Sequence, residues 1–219
     1  RCSAKMSKVE PIVRIPLYPN EPKTLGELFR NAAKTHNRAD ALNSKHDGEW
    51  RKISSDEMIA RADRIALGLY SLGLRKDDKA AILAANSPDW TIADAGCQLS
   101  GVIDVPIYTT LAPNAVAYII KDSGAKVFFV ENKDAYERLR DIFQDCPSIE
   151  KIVFFNADGV DAENSMPLAE LESLGEKLRG ENPELVGELM SKVTADDIAT
   201  LIYTSGTTGE PKGVMLTHS

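Results

Sequence analysis

Short apolar runs alternate with amphipathic segments along the middle of the chain, and this alternation constrains the fold more than any other feature of the sequence. Four runs have the length and composition of buried strands, at residues 79–85, 102–108, 126–130 and 152–155. Strands joined to helices by short connections are typical of βαβ units, whose strands are parallel. The runs lack the polar alternation of a half-solvated sheet, so both faces are expected to be covered. We therefore predict an α/β fold with a doubly wound, mainly parallel sheet and flanking helices.

Capping boxes and one turn organise the residues before this region. At 24–27 and 54–57 a hydroxyl stands three residues before a glutamate, so the two groups can satisfy free amides of a first helical turn. Behind the second box, apolar residues step by four and three up to Leu72, which predicts a helix that ends at Gly73. Between the boxes, Asp-Gly at 47–48 separates two short runs and predicts a β-hairpin.

The segments beside and after the strands predict further helices and a loop. Ser-Pro at 87–88 and Pro113 are predicted to begin helices, with proline in the first turn. Residues 134–143 are predicted to form a single helix, and the polar, turn-rich residues 156–165 a surface loop. The leucine stripe at 168–178 predicts an amphipathic helix. Its acidic polar face favours packing on the core over contact with a membrane.

The end of the chain carries the densest set of groups suited to an anion. After a strand at 198–203, residues 204–213 contain four hydroxyls, three glycines and one lysine, Lys212. Glycine lets backbone amides approach an anion, hydroxyls add neutral donors, and lysine adds positive charge. A second apolar strand follows at 214–216, so the loop joins two strands. This composition suits a polyphosphate, but it is also that of an ordinary polar hairpin loop without a ligand.

The string YTSGTTGEPKGV, at residues 203–214, differs from the common P-loop. In a P-loop, Ser or Thr follows the lysine and the motif leads into a helix, whereas here Gly213 and a strand follow Lys212. Over twelve consecutive positions the string instead resembles the signature phosphate loop of the adenylate-forming (AMP-binding) synthetase superfamily. The upstream segments ANSPDW at 85–90 and GVIDVPIY at 101–108 resemble its long-chain fatty acyl-CoA synthetase branch.

The resemblance implies a reaction and a set of ligands. A carboxylate attacks ATP to give an acyl-adenylate and pyrophosphate, and coenzyme A then forms the thioester. The implied substrates are therefore a fatty acid, ATP and coenzyme A, with Mg²⁺ bridging the phosphates. The loop residues implied to bind the phosphates of ATP are Thr204, Ser205, Gly206, Thr207, Thr208, Gly209 and Lys212.

The same resemblance implies that parts of the enzyme lie outside this sequence. The family's adenine-binding segment, magnesium-linked acidic residue, ribose-binding aspartate and catalytic lysine follow the phosphate loop. No catalytic residue and no metal ligand is therefore expected within the chain. We interpret residues 1–23 as an extended N-terminal segment and residues 24–219 as an incomplete α/β N-terminal domain, without the C-terminal lid domain, and we expect the chain alone to be inactive. Two alternatives stay open: a relative that activates a short-chain, aryl or amino acid, and a naturally truncated nucleotide-binding or interaction module.

Composition limits the partners and the compartment. The net charge of −7 does not favour broad nucleic-acid binding, which relies on basic surfaces. Three separated cysteines predict neither a disulfide framework nor a zinc site, and a reducing cytoplasm fits best. The longest uncharged stretch, 105–120, has 16 residues and two prolines, which is too short for a spanning helix. We expect a cytoplasmic protein with no transmembrane segment, and peripheral attachment to a membrane stays open.

Three single residues have both a functional and a structural interpretation. His218 could be an active-site wall residue, but an ordinary strand-end histidine is favoured because nothing nearby pairs with it. Asp104 could be a catalytic carboxylate, but a strand-edge position or satisfaction by backbone amides is favoured. Trp90 could line an acyl channel, but packing of its helix against the sheet is favoured.

Overall fold

The computed structural model describes residues 21–46, 48–204 and 211–219. Almost all of the predicted extended segment at 1–23 lies outside the described residues. Five of the seven predicted phosphate-binding residues also lie outside them, namely Ser205, Gly206, Thr207, Thr208 and Gly209.

The described residues contain a seven-stranded sheet and a separate two-stranded hairpin. The strands are β1 (Leu42–His46), β2 (Glu49–Ile53), β3 (Lys79–Leu83), β4 (Ile103–Pro106), β5 (Val127–Val130), β6 (Lys151–Phe154), β7 (Ser165–Pro167), β8 (Ile198–Thr204) and β9 (Lys212–Thr217). In the large sheet the strand order is β7-β6-β5-β3-β4-β8-β9, and every neighbouring pair is parallel except β8 and β9. The predicted parallel sheet is confirmed, as is the antiparallel hairpin of β1 and β2.

Helices cover both faces of the sheet. They are α1 (Leu25–His36), α2 (Ser55–Ser71), α3 (Pro88–Ser100), α4 (Pro113–Ser123), α5 (Lys133–Glu137), α6 (Leu168–Glu181) and α7 (Leu185–Met190), with a 3₁₀ helix at Arg140–Asp145. Alternate strand residues supply two separate cores: Ile82 and Phe129 face a cluster with α1, α2, α3 and α6, whereas Leu83 and Phe128 face one with α4 and α5. Uninterrupted apolar strands are therefore buried on both sides, as predicted.

The predicted helix caps form in the structure. The hydroxyls of Thr24, Ser54 and Ser87 each accept a hydrogen bond from the backbone amide three residues later, at 3.1–3.2 Å. Gly101 and Gly124 end α3 and α4 with φ of 73° and 65°, a conformation that glycine adopts without steric cost. These ends depend on local sequence alone, which is why they could be predicted.

Two elements of the structure differ from the prediction. The single helix at 134–143 is wrong, because α5 ends at Glu137 and a 3₁₀ helix follows. In a continuous α-helix Tyr136 and Phe143 would be about 10 Å apart along the axis. Here their rings stack at 5.5 Å, and both contact the aromatic rings of the sheet. The predicted loop at 156–165 ends one residue early, since Ser165 begins β7, a three-residue edge strand too short to show alternation.

Helices α2 and α6 pack at very close range through two glycines. A Cβ atom on Gly175 would lie 1.8 Å from the carbonyl oxygen of Arg64, and one on Gly68 would lie 2.4 Å from that of Leu171. Beside this crossing Glu172 accepts hydrogen bonds from Arg61 at 2.7 Å and from Arg64 at 3.1 Å. The crossing fixes α6 over the sheet.

Replacing Gly175 by alanine should destabilise the fold, because backbone atoms must move to admit the methyl group. We expect Gly175→Ala to lower the free energy of unfolding by about 3 kcal/mol, measured by urea denaturation. Gly180→Ala is the matched control in the same helix, since a Cβ there meets nothing within 4 Å. The control should be neutral or stabilising by up to ~1 kcal/mol. Equal effects of the two substitutions would contradict the close packing.

Candidate functional site

The predicted phosphate-loop segment follows the carboxyl end of β8 along the sequence. In open α/β sheets, ligands bind beyond the carboxyl ends of the strands. Because β8 and β9 are antiparallel, Thr204 and Lys212 are register partners at the mouth of the loop, and both are exposed. The structure thus brings together the two predicted site residues that it describes, which flank the loop from opposite strands.

Tyr203 fixes the carboxyl end of β8 against α4. Its ring is buried and its hydroxyl donates a hydrogen bond of 2.6 Å to Asp122 of α4. Burial and this carboxylate raise the pKa of the phenol above its usual value, so it stays neutral. On β9, a Cβ on Gly213 would lie 3.1 Å from the Tyr203 ring, so glycine permits the close approach of the two strands. Sequence reasoning missed Asp122, since nothing in its local pattern shows a partner 81 residues away.

A groove is lined by uncharged residues from α3 and from the carboxyl ends of β3, β4 and β8, with the segments that follow β3 and β4. Its volume is about 390 Å³, within the range of ligand pockets. The lining residues are Ala84, Ala85, Asn86, Trp90, Pro106, Ile107, Tyr108, Thr109 and Ile202. Trp90 packs against the core, as favoured from the sequence, and also lines this groove. The groove suits an apolar or neutral part of a ligand rather than its phosphates.

Arg138 holds the segment that follows β4. Its guanidinium donates hydrogen bonds to the carbonyl oxygens of Leu111 at 2.8 Å and Thr109 at 2.6 Å. The backbone on this side of the groove is therefore positioned by a residue from the turn after α5. The role of Arg138 in positioning this backbone is the second feature of the site that the sequence pattern did not reveal.

A buried polar cluster lies under β8. The amide nitrogen of Gln98 is 2.9 Å from an oxygen of Asp94, 3.1 Å from one of Asp104, and 3.4 Å from the carbonyl oxygen of Ala199. Gln98 is almost fully buried, and its own side-chain oxygen has no hydrogen-bond partner in the described part of the chain. Thr200 of β8 is the register partner of Asp104 and also bonds its carboxyl group.

The expectation for Asp104 is corrected by this cluster. β4 lies inside the sheet between β3 and β8, and the carboxyl group is hydrogen-bonded by the side chains of Thr200 and Gln98 as well as by its own backbone amide. Burial and the nearby Asp94 carboxyl raise the pKa of Asp104 to about 7. Burial also raises the pKa of Asp94 and of the neighbouring Cys97 thiol. The fold therefore favours a proton on Asp104 over much of the acidic range.

His218 follows the end of β9, as the favoured interpretation has it, but the reason given for that interpretation is wrong, because the side chain does have a partner. Its imidazole is buried, and its Nδ1 accepts a hydrogen bond of 3.2 Å from the backbone amide of Leu25 in the first turn of α1. Burial lowers the pKa of this histidine, which keeps the ring neutral and able to accept. The partner lies 193 residues away, so local sequence could not reveal it.

The described residues offer neither a cluster of metal-binding side chains nor a membrane-spanning helix. Groups of three or more His, Cys, Asp or Glu side chains arranged to hold a metal ion do not occur among them. Within the same residues, every helix is too short or too polar to cross a bilayer.

Stability should depend on pH through Asp104. Its pKa in the fold, about 7, lies above the ordinary value of about 3.9. The folded state therefore holds the proton more tightly, so stability should fall as pH rises from about 4 to 7. Asp104 can change the free energy of unfolding by at most about 1.4 kcal/mol per pH unit. Asp104→Asn should flatten that dependence in urea denaturation across this range. An unchanged slope in the variant would contradict the assignment.

Comparison with curated proteins finds long-chain-fatty-acid–CoA ligases. The chain is 32% identical over 210 residues to ACSBG1 of Mus musculus, covering 94% of this chain and 29% of that protein. It is 33% identical over 199 residues to ACSBG2 of Gallus gallus, covering 90% and 26%. It is 32% identical over 173 residues to FadD15 of Mycobacterium bovis, covering 79% and 28%. The chain spans less than a third of the length of these relatives.

Solved structures share the fold. The anthranilate CoA ligase AuaEII, solved in complex with anthranoyl-AMP, matches with a TM-score of 0.69 and 23% identity, over 93% of this chain and 36% of that one. The A-PCP didomain of the carboxylic acid reductase from Segniliparus rugosus, solved in complex with AMP, matches with a TM-score of 0.65 and 19% identity, over 91% and 32%. The doubly wound α/β architecture predicted from the sequence is confirmed. The family described as AMP-binding enzyme matches residues 28–219, and with several relatives above 30% identity over most of its length, the chain belongs to this family.

Proposed function

We propose that the chain is the N-terminal part of an ATP-dependent fatty acid:CoA ligase that forms AMP. The observation that carries the proposal is the loop string at 203–214, at the carboxyl end of β8 in a sheet of the adenylate-forming type. The long-chain-fatty-acid–CoA ligases named above are similar to the chain over most of its length and support this substrate class.

The proposal includes a longer polypeptide. Residues 24–219 would form an incomplete N-terminal domain, and the remaining catalytic parts and a C-terminal lid domain would follow. The relatives' greater length supports this. So does β9, an edge strand with three exposed apolar side chains: Val214 at 43%, Met215 at 66% and Leu216 at 43%. Exposed apolar edge strands are a liability that proteins usually cover.

In the proposed reaction, a fatty-acid carboxylate oxygen attacks the α-phosphorus of ATP. The bond to the bridging oxygen breaks, and pyrophosphate leaves with the electron pair. The residues proposed to hold the β- and γ-phosphates are Thr204, Ser205, Gly206, Thr207, Thr208, Gly209 and Lys212. Hydrogen-bond donors held in position, together with one positive charge, stabilise the negative charge that develops on the leaving pyrophosphate. Mg²⁺ bound by the phosphates would neutralise part of the same charge.

Coenzyme A completes the proposed reaction. Its thiolate sulfur attacks the acyl carbonyl carbon of the adenylate, the thioester bond forms, and AMP leaves. Residues that would assist this step belong to the part of the enzyme proposed to follow this chain. We therefore expect the 219-residue chain by itself to form no acyl-CoA.

ATP–pyrophosphate exchange with a panel of acids tests the substrate class. Full-length protein should exchange label with long-chain fatty acids, and much less with short-chain, aryl or amino acids. A preference for one of the other acids would identify a ligase for a different carboxylate. Exchange with none of them, or a native mass near 23.9 kDa, would instead favour a truncated nucleotide-binding or interaction module.

Lys212→Ala in the full-length protein should slow adenylation without unfolding the domain. The side chain is exposed, and its proposed work is charge stabilisation of the leaving group. We expect pyrophosphate exchange to fall by about tenfold or more, with an unchanged melting temperature. Lys177→Ala, an exposed lysine of α6, is the matched control and should leave both unchanged. Lost thermal stability with normal exchange would argue against the proposed role.

A further inference from the structure

The hairpin of β1 and β2 has two faces of different chemistry. Register partners on neighbouring strands share a face. Leu42 and Ile53 are partners on the inner face, and both pack against the large core that α1, α2 and α3 help to form. The outer face carries the partner pairs Asn43 with Lys52 and Lys45 with Trp50, and all four side chains are exposed. These four residues form the outer hairpin face.

Trp50 is the most unusual member of this face. It is 65% exposed, although tryptophan is usually well buried in folded proteins. Lys45 lies directly opposite on β1, and Lys52 follows two residues later on β2 with the same orientation. The ammonium group of Lys52 is 4.0 Å from Asp40, a carboxylate that also pairs with Arg38 at 3.0 Å. An exposed indole thus shares one face of the hairpin with two lysine side chains.

We propose that the outer hairpin face docks on a membrane surface that contains anionic lipids. Tryptophan is favoured at the level of the lipid headgroups because its ring is apolar and its N–H can remain hydrogen-bonded. Lysine side chains extend their apolar stems along such a surface and place their charges beside lipid phosphates. The outer hairpin face supplies both kinds of residue on one side of a two-stranded ribbon.

The size of this face favours a lipid surface over a protein partner. A specific protein interface buries about 800 Å² on each partner and uses some 20–30 residues a side. Four outward side chains on two five-residue strands are too few for this. A bilayer requires no matching shape, so a small amphipathic contact suffices for weak, reversible attachment.

Charge also gives the contact a direction. The 219 residues carry a net charge of −7, so most of the surface of this part of the protein should be repelled by an anionic membrane. Lys45 and Lys52 place positive charge beside the one exposed tryptophan among the described residues. This part of the protein would therefore approach with its hairpin toward the lipid, and salt should weaken the attachment. This inference is independent of the reaction proposed above.

Vesicle sedimentation of the full-length protein tests the proposal. The wild type should sediment with vesicles that contain phosphatidylglycerol and only weakly with pure phosphatidylcholine. Lys45→Gln with Lys52→Gln should weaken partitioning by about fivefold per lysine. Trp50→Ala should reduce it on both kinds of vesicle. Lys177→Gln with Lys192→Gln, two exposed lysines elsewhere, removes the same charge and should have little effect.

Circular dichroism and pyrophosphate exchange with a water-soluble acid would show that each variant is folded and that the contact is separate from catalysis. Binding that Trp50→Ala leaves unchanged would place the membrane contact elsewhere and overturn the proposal. If the double substitution at Lys177 and Lys192 weakened vesicle binding as much as the one at Lys45 and Lys52, the binding would be general charge attraction. That result would also overturn the proposal. No binding by the wild type would also overturn it, as expected if other parts of the protein cover the hairpin.

Discussion

The pairing of β8 with β4 connects the loop-bearing hairpin to the parallel sheet, and the geometry of the candidate site depends on it. The backbone register joins Asp104 to Thr200, and Gln98 lies beneath both strands with its amide directed at two carboxyl groups. A polar group buried in this way is costly unless its partners are in place. The position of β8 therefore depends on the protonation state of Asp104.

The remaining features of the site follow from where β8 ends. Its carboxyl end lies beside those of β3 and β4, which brings the mouth of the loop next to the uncharged groove. Tyr203 and Asp122 brace β8 against α4 on one side of the sheet. On the other side α2 and α6 cross at contact distance through glycines and hold that helical layer against the sheet. A phosphate-binding function and an adjoining neutral subsite are consistent with this arrangement.

Local interactions were predictable, and long-range ones were not. Helix caps at Thr24, Ser54 and Ser87 bond amides three residues away, so their signals lie within one turn of sequence. The pairing of His218 with Leu25 spans 193 residues and depends on how the chain returns to α1. The break after α5 has a similar origin, because ring packing against the sheet outweighs the helical pattern of 134–143.

The amino-acid sequence by itself determined the fold class, most of the order of strands and helices and the family, since hydrophobic periodicity, capping residues and a twelve-residue string are all readable along the chain. It also singled out Lys212 and its neighbours as candidates for an anion site. Only the tertiary structure decided which groups meet, Asp104 with Gln98 and Tyr203 with Asp122, and that Trp50 and two lysines are exposed on one outward face. These contacts depend on register and burial, because a side chain's environment is set by elements distant in sequence.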